Sequence, residues 1–452
     1  MSSKPVAHPR PPSVEAVLTL LRPNADGVAP DALTNTVRAI LGEEREHVRA
    51  GTPARDAPTL AAEARARLDR FAAPGIERVI NATGVIIHTN LGRAPWPLPV
   101  ARAVADLAVD TLLLEMDRDT GRRGARARVA EDHLVALTGA EDALITNNNA
   151  AALVLAVGLA GRGGIVVSRG ELVEIGGGVR IPDVIRRAGA RLIEVGTTNR
   201  TRAVDFEGPL VEGKARAVLR VHPSNFAMTG FTETPDAGAI ADLAHRHGAI
   251  VIDDLGSGAL LDTAAYGLMH EPHPSERLAA GSDVVTFSGD KLVGGPQAGL
   301  IVGRADLVAR MRRDPLARAM RPDKATMAGV ALTLGLYRAG RAANEIPVWQ
   351  MIAMSVDELR SRAAALAETI GGGVDVIDVR STVGGGSLPG ETLPSVALAL
   401  ETRSATRTLT ALRRGSPGVI ARIADDRVIL DLRTVPPDSD TPLARAVSAV
   451  LG

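Results

Sequence analysis

The chain contains no cysteine in 452 residues. That removes thiol nucleophiles, disulfides, iron–sulfur clusters and thiolate zinc sites from consideration. Aromatics make up only 2% of the residues, so rows of stacking rings for single-stranded RNA are not expected. The longest apolar run, Ala150–Ala160, stops at Gly-Arg-Gly-Gly, well short of the roughly 20 residues a membrane helix needs. The N-terminal stretch Met1-Ser-Ser-Lys-Pro-Val-Ala-His-Pro-Arg has no apolar h-region, which leads us to expect no secretory signal and a cytoplasmic protein. Net charge is missing as well: 52 Lys+Arg stand against 52 Asp+Glu. Nucleic-acid binding would therefore have to rest on local patches rather than on a global field.

Lysine is scarce too. Of the 52 basic residues only Lys4, Lys214, Lys291 and Lys324 are lysines, and the rest are arginine. A guanidinium neither forms imines nor loses its proton in a protein, so a lysine in an unusual setting is there for its amine. Lys4 lies at the terminus, Lys214 in a polar turn after Val-Glu-Gly, and Lys324 near an arginine-rich segment. Lys291 alone follows a buried-type strand, in Thr286-Phe-Ser-Gly-Asp-Lys-Leu-Val-Gly-Gly-Pro-Gln-Ala-Gly299. Partial desolvation there would lower its pKa and free the amine to attack a carbonyl.

A chain of this length suggests two or three domains. Residues 1–75 read as a small helical module, with apolar residues at helical spacing around Val14–Leu21, Leu33–Leu41 and Leu60–Phe71. Residues 76–325 alternate short β-branched runs with Ala/Leu-rich helical stretches. The runs are Ala143–Thr146, Gly164–Val167, Arg191–Val195, Ala217–Val221, Ala249–Asp253, Val284–Phe287 and Ala298–Val302. Continuous apolar runs separated by helices predict an α/β fold, a doubly wound and mostly parallel sheet covered on both faces. Residues 326–452 predict a smaller α+β domain, with strands at Val374–Val379, Ser395–Leu400, Val419–Ile423 and Arg427–Leu432.

In such sheets the chemistry lies at the carboxyl ends of the strands. Asn148 and Asn149 follow the first run and open a helix. That start is either a plain cap or, through its free N–H groups and dipole, a phosphate site. Asp253 ends a strand 38 residues before Lys291. A buried carboxylate there needs a partner, and a pyridinium nitrogen would be one. Asp254 could serve instead, and Asp253 could simply cap the turn into Gly256-Ser-Gly. Ser288 could give its hydroxyl to the same phosphate. His222, after another strand, could face a cofactor ring or be a satisfied turn histidine; His88 is similar. Nothing around either histidine has metal-ligand spacing, and no metal is expected.

The order phosphate-cradling helix start, strand-end Asp, then Ser-x-x-Lys resembles that of fold-type I pyridoxal 5'-phosphate (PLP) enzymes. Longer motifs sharpen the likeness: Ile80-Asn-Ala-Thr-Gly-Val-Ile-Ile-His-Thr-Asn-Leu-Gly-Arg, Glu171-Leu-Val-Glu-Ile-Gly-Gly-Gly, Val195-Gly-Thr-Thr-Asn-Arg-Thr, Val221-His-Pro-Ser-Asn, Asp253-Asp-Leu-Gly-Ser-Gly and Asp431-Leu-Arg-Thr-Val. Together they resemble the bacterial selenocysteine synthase family, the L-seryl-tRNA(Sec) selenium transferases, over residues 75 to 435.

The resemblance implies conversion of seryl-tRNA(Sec) to selenocysteinyl-tRNA(Sec) with selenophosphate, through loss of water to a dehydroalanyl intermediate and addition of selenium. It implies Lys291 as the Schiff-base lysine, an N-terminal domain that grips tRNA, and a large ring-shaped homo-oligomer, a homodecamer. It also implies that Arg93, Arg126, Arg318 and Arg321 surround the phosphate-like donor, the last pair coming from a neighbouring subunit. Arg122, Arg123 and Arg128 compete with Arg126 for that part. Two other readings remain: a PLP lyase acting on a small phosphorylated amino sugar or amino acid, and a non-catalytic tRNA-binding scaffold, against which an intact Lys291 and Asp253 argue.

Overall fold

The computed structural model describes residues 10–24, 27–72, 75–124 and 128–451. All seven apolar runs of the middle region are strands: β1 (Asp142–Thr146), β2 (Gly164–Ser168), β3 (Arg191–Val195), β4 (Ala215–Val221), β5 (Ile250–Gly256), β6 (Val284–Ser288) and β7 (Gly299–Gly303). They form one sheet in the order β1-β7-β6-β5-β4-β2-β3. Only β7 runs against its neighbours, β6 and β1. Helices such as Asn149–Gly158, Ile181–Arg187 and Ala237–Arg246 return the chain between parallel strands, as a parallel connection requires.

Both faces of this sheet are buried. On one, Ile145, Val285, Phe287 and Leu300 pack with Leu134, Leu334 and Trp349. On the other, Leu144, Ile165, Leu219 and Ile252 pack with Leu153, Ala156 and Ile185. Each such side chain contributes about 1.5–3 kcal/mol on burial, and this is why the strands read as continuous apolar runs rather than alternating ones.

The C-terminal region forms a second, five-stranded sheet. Its order is Arg422–Ala424, Arg427–Asp431, Thr392–Leu400, Val374–Gly384, Val85–Ile87. The last of these comes from far upstream and lies parallel to Val374–Gly384, with Val85 opposite Thr382 and Ile87 opposite Gly384. The start of the stretch expected to belong wholly to the large sheet is thus built into the small one. The expected single strand Val419–Ile423 breaks at Ala421. Gly418–Ile420 accepts from Ala82 N through the Ile420 carbonyl, while Arg422–Ala424 pairs with Arg427–Asp431.

Asp431-Leu-Arg-Thr proves to be structural. The buried Asp431 carboxylate accepts from Ser381 and Ser395 hydroxyls at 3.0 and 2.7 Å. Arg433, 2% exposed, donates to the carbonyls of Met351 and Met354 at 2.7 and 2.8 Å. Hydrogen bonds place protons of the two Nη groups, which offsets part of the cost of burying a guanidinium.

The boundary between two compact units falls after Val79. The N-terminal unit is helical, over Val14–Leu21, Pro30–Arg49 and Ala57–Ala72, around Val17, Leu18, Val37, Ile40, Leu41, Leu60 and Ala64. Ser13 caps the first helix by accepting from Ala16 N at 3.1 Å, and Pro30 sits in the first turn of the second. Arg38 and Arg45 are exposed on that second helix. Among the described residues, no helix is long and apolar enough to cross a membrane.

Candidate active site

The carboxyl ends of β1, β4, β5 and β6 open into one cavity of about 560 Å³. Its lining includes Arg93, Asn148, Asn149, His222, Asp254, Ser288, Lys291, Gly385 and Gly386. Most of the residues singled out from the sequence therefore meet in one place, although 198 residues separate Arg93 from Lys291 along the chain (291 − 93).

Lys291 is held from behind by the scarce aromatics. The Tyr337 hydroxyl lies 3.0 and 2.9 Å from the carbonyls of Leu292 and Val293, and it accepts from Trp349 Nε1 at 2.7 Å. All three groups are buried, so losing one would leave the others unpaired. In front, Gly386 sits at φ +84°, and a Cβ on it would stand 2.4 Å from Lys291 Nζ. Burial is the main force lowering the Lys291 pKa. The charge of Arg93 adds to it, while Asp254, Asp290 and Glu271 oppose it.

The sequence left the two strand acids open, with Asp253 as the first choice; the structure separates them. Successive strand residues face opposite sides of a sheet. Val221, Asp254 and Thr286 are neighbours across three strands, and so are Arg220, Asp253 and Val285. Asp254 lines the cavity, where its Oδ1 accepts from Asn149 Nδ2 at 2.8 Å and from Thr286 Oγ1 at 2.9 Å. Asp253 is on the other face, 3.7 Å from Arg277 Nε and next to Arg220, which pairs with Glu171 at 2.9 Å. Burial raises the pKa of both acids; at Asp254 the Asn149 and Thr286 hydrogen bonds oppose it, at Asp253 the charges of Arg277 and Arg220. The place expected for Asp253 beside the cavity is taken by Asp254.

Asn148 caps the helix Asn149–Gly158, its Oδ1 accepting from Ala151 N at 2.9 Å. The buried Oδ1 of Asn149 has no partner. Ser288, at the end of β6, lines the cavity with 6% of its surface exposed. Arg93 reaches the site from a turn in which it takes the left-handed φ of 61°. Strain of this kind costs about 1 kcal/mol and turns the guanidinium onto Asp290, at 2.7 Å. His88 does not line the cavity: its Nδ1 accepts from Asn90 N at 3.2 Å and closes that turn.

Within one chain Arg318 and Arg321 do not line this cavity. Arg318 and Arg321 line a different one, of about 490 Å³, with Glu115, Arg123, Arg128 and Arg312, and Arg321 pairs with Glu115 at 3.0 Å. Arg126 lies outside the described residues. Between the segments that carry the two cavities, Asn147 N donates to the Met320 carbonyl at 2.8 Å.

Sequence reasoning missed Asp290, Thr286, Glu271 and the pair Gly385–Gly386. Asp290 was signalled by its place beside Lys291, and the glycines by the run Gly384-Gly-Gly-Ser387, which invites close backbone approach. Glu271 carried no local signal.

The chain is similar to known proteins along most of its length. The family model described as SelA, L-seryl-tRNA selenium transferase, matches residues 79–436. The chain is 41% identical over 448 residues to the L-seryl-tRNA(Sec) selenium transferase of Rhizobium meliloti (strain 1021), covering 95% of both chains. It is 44% identical over 445 residues to that of Solidesulfovibrio magneticus, covering 94% of both. Among solved structures, that of D-glucosaminate-6-phosphate ammonia-lyase superposes with a TM-score of 0.60 at 22% identity, over 83% of this chain and 96% of that one. At that identity the likeness concerns the fold, that of fold-type I PLP enzymes. By family model and by relatives spanning nearly its whole length, the chain belongs to the L-seryl-tRNA selenium transferase family.

Proposed function

We propose that the Lys291 cavity holds pyridoxal 5'-phosphate and that the chain uses it to convert L-seryl-tRNA(Sec) into L-selenocysteinyl-tRNA(Sec) with selenophosphate as donor. The observation that carries this reading is a desolvated amine in one cavity with a buried carboxylate and an open helix start.

The residues fit the cofactor. Asn149 Oδ1 is buried and unpartnered, Gly386 leaves room in front of Lys291, and the start of Asn149–Gly158 offers N–H groups to a phosphate. Asn148, Asn149 and the Ser288 hydroxyl would hold the phosphate, Asp254 the ring nitrogen, and His222 would face the ring. When bound, the cofactor supplies an electron sink for the charge left at the seryl α-carbon. Lys291 carries the proton: its lowered pKa lets the amine take it from the α-carbon and return it after the water has left and selenium has been added. The Asn149 and Thr286 hydrogen bonds favour the charged form of Asp254 against burial, which raises its pKa, and a ring N–H would add a third partner. The Arg93 guanidinium, anchored on Asp290, suits an oxyanion of the donor.

Arg318 and Arg321 would join the site from a second copy of the chain, in a large ring-shaped homo-oligomer. The apolar stretch around Leu113 and Met116, 54% and 55% exposed beside the arginine-lined cavity, supports such a contact. Arg126 belongs to the same proposal. The N-terminal unit, with Arg38 and Arg45 exposed, would grip the tRNA through phosphate and 2'-hydroxyl contacts, and a substrate made for translation places the chain in the cytoplasm.

The experiment is incubation of the PLP-loaded chain with seryl-tRNA(Sec) and selenophosphate, reading selenium on the tRNA. Transfer is expected. No transfer, with turnover of a free phosphorylated amine instead, would establish the lyase reading.

A further inference from the structure

Glu271 is a buried carboxylate that the reaction outlined above does not use. It is 2% exposed, its Oε1 has no hydrogen-bond partner of good geometry, and the His222 imidazole lies beside it, with Nε2 3.3 Å from Oε1. A buried, unpaired carboxylate is costly to keep, and such contacts tighten when a site is loaded.

The backbone around it is fixed. Glu271 N donates to Thr263 Oγ1 at 2.9 Å, and that hydroxyl donates to the Met269 carbonyl at 2.6 Å. Pro272 keeps the residue before it out of helical conformation. On the other side His222 is tied to the strand of Asp254, its N–H donating to the Asp254 carbonyl at 2.9 Å. His222 lines the cavity and Glu271 does not.

We propose that Glu271 is a positioning residue for His222: its carboxylate accepts from Nε2–H, which fixes the tautomer of the imidazole and the face it turns to the cavity. This rests on the reading of the cavity as the cofactor site. With the proton held on Nε2, Nδ1 is left as an acceptor, and the ring cannot rotate without stranding the carboxylate. The competing role is direct: the charge of Glu271 also bears on Lys291.

The test uses the full chain with Glu271→Leu, Glu271→Gln, His222→Ala and the Leu/Ala double variant. In the apo-protein, diethylpyrocarbonate labelling of His222, resolved by peptide mass spectrometry, should change several-fold in Glu271→Leu and little in Glu271→Gln, whose amide oxygen still accepts. In the PLP-loaded chain, Glu271→Leu should alter the visible circular dichroism and lower kcat by about tenfold, less than the loss of a direct acid–base group because Glu271 acts through another residue, with KM for seryl-tRNA unchanged. The double variant should be no worse than His222→Ala, because the two residues act as one unit. Losses that multiply, or unchanged labelling and dichroism in Glu271→Leu, overturn the proposal and assign Glu271 to Lys291. If Glu271→Leu does not fold, Glu271→Asp, which withdraws the carboxylate by one methylene, should show the same signature in weaker form; wild-type labelling there overturns it equally. A wild-type chain that shows no visible band with PLP sinks the cofactor reading alone, since apo labelling still tests the Glu271–His222 pair.

Discussion

In the cavity of Lys291 an amine, Asp254 and the nearby Asp290 and Glu271 are crowded together, and burial works against the charged forms of both Lys291 and Asp254. In the cavity of Arg318 and Arg321 the guanidiniums are exposed, and Arg321 and Arg123 are paired with Glu115. The first arrangement suits moving a proton, because small changes in charge there are felt strongly. The second suits holding an anion, because arginine stays charged and offers a fork of donors. Under the proposed function, the two arrangements would be joined by a second copy of the chain.

The largest effect should come from Lys291→Ala. Selenium transfer should fall by at least about a thousandfold, as expected when a proton carrier and nucleophile is removed, and borohydride should no longer fix the cofactor to the chain. Activity within tenfold of wild type would end the distinction between the two cavities.

The two neighbouring acids sharpen it further. Asp254→Asn should cost about a hundredfold in kcat, the scale for losing one preorganised charge at the reacting centre. Asp253→Asn should instead lower stability by about 1–3 kcal/mol, because it removes the buried carboxylate that faces Arg277 and Arg220; urea unfolding reads this. The reverse pattern would restore Asp253 as the ring partner.

Mixing subunits tests the join directly. Lys291→Ala and Arg318→Ala/Arg321→Ala chains, each inactive alone, should regain activity when co-expressed, since one active site of the hybrid then has both intact parts. No recovery would mean that the arginines serve their own chain.

The smallest effect is on stability against pH. The folded pKa of Lys291 lies below its ordinary 10.5 because the amine is buried. The unfolded chain therefore binds more protons between the two values, and the stability of the apo-protein gains as pH rises toward 10.5. Lys291→Met removes that dependence, so the apo variant should be more stable than wild type near neutral pH and lose its lead in alkali. A lead that grows with pH would contradict a desolvated amine.

The seven strands of the large sheet were legible because burial on both faces makes each an unbroken apolar run. The same burial hid which strand acid faces the cavity. With Val251 and Ile252 equally buried, no alternation of polar and apolar residues marks the two sides, and only the register with Thr286 and Val221 separates Asp254 from Asp253. Asn148, Asn149, Ser288 and Lys291 were legible because each lies at a strand end or within three residues after it. Glu271, Gly385 and Gly386 were not, because they arrive from loops whose approach depends on tertiary packing. Arg318 and Arg321 were recognisable by motif, but their distance from Lys291 within one chain is a property of the fold alone.

The strand Val85–Ile87 has a consequence for how the chain is made. Its partner in the small sheet lies 297 residues later, taking Thr382 opposite Val85 (382 − 85). At about 5–20 residues per second, the ribosome needs roughly 15–60 s to supply that partner, and all that time a segment leading to Arg93 waits with an open edge. Chains released before residue 374 would never close it. They would carry Lys291 and most of its cavity, yet lack Gly385 and Gly386 and expose a strand that other chains can pair with. Completion of the active site and protection from aggregation therefore arrive in the same final quarter of synthesis.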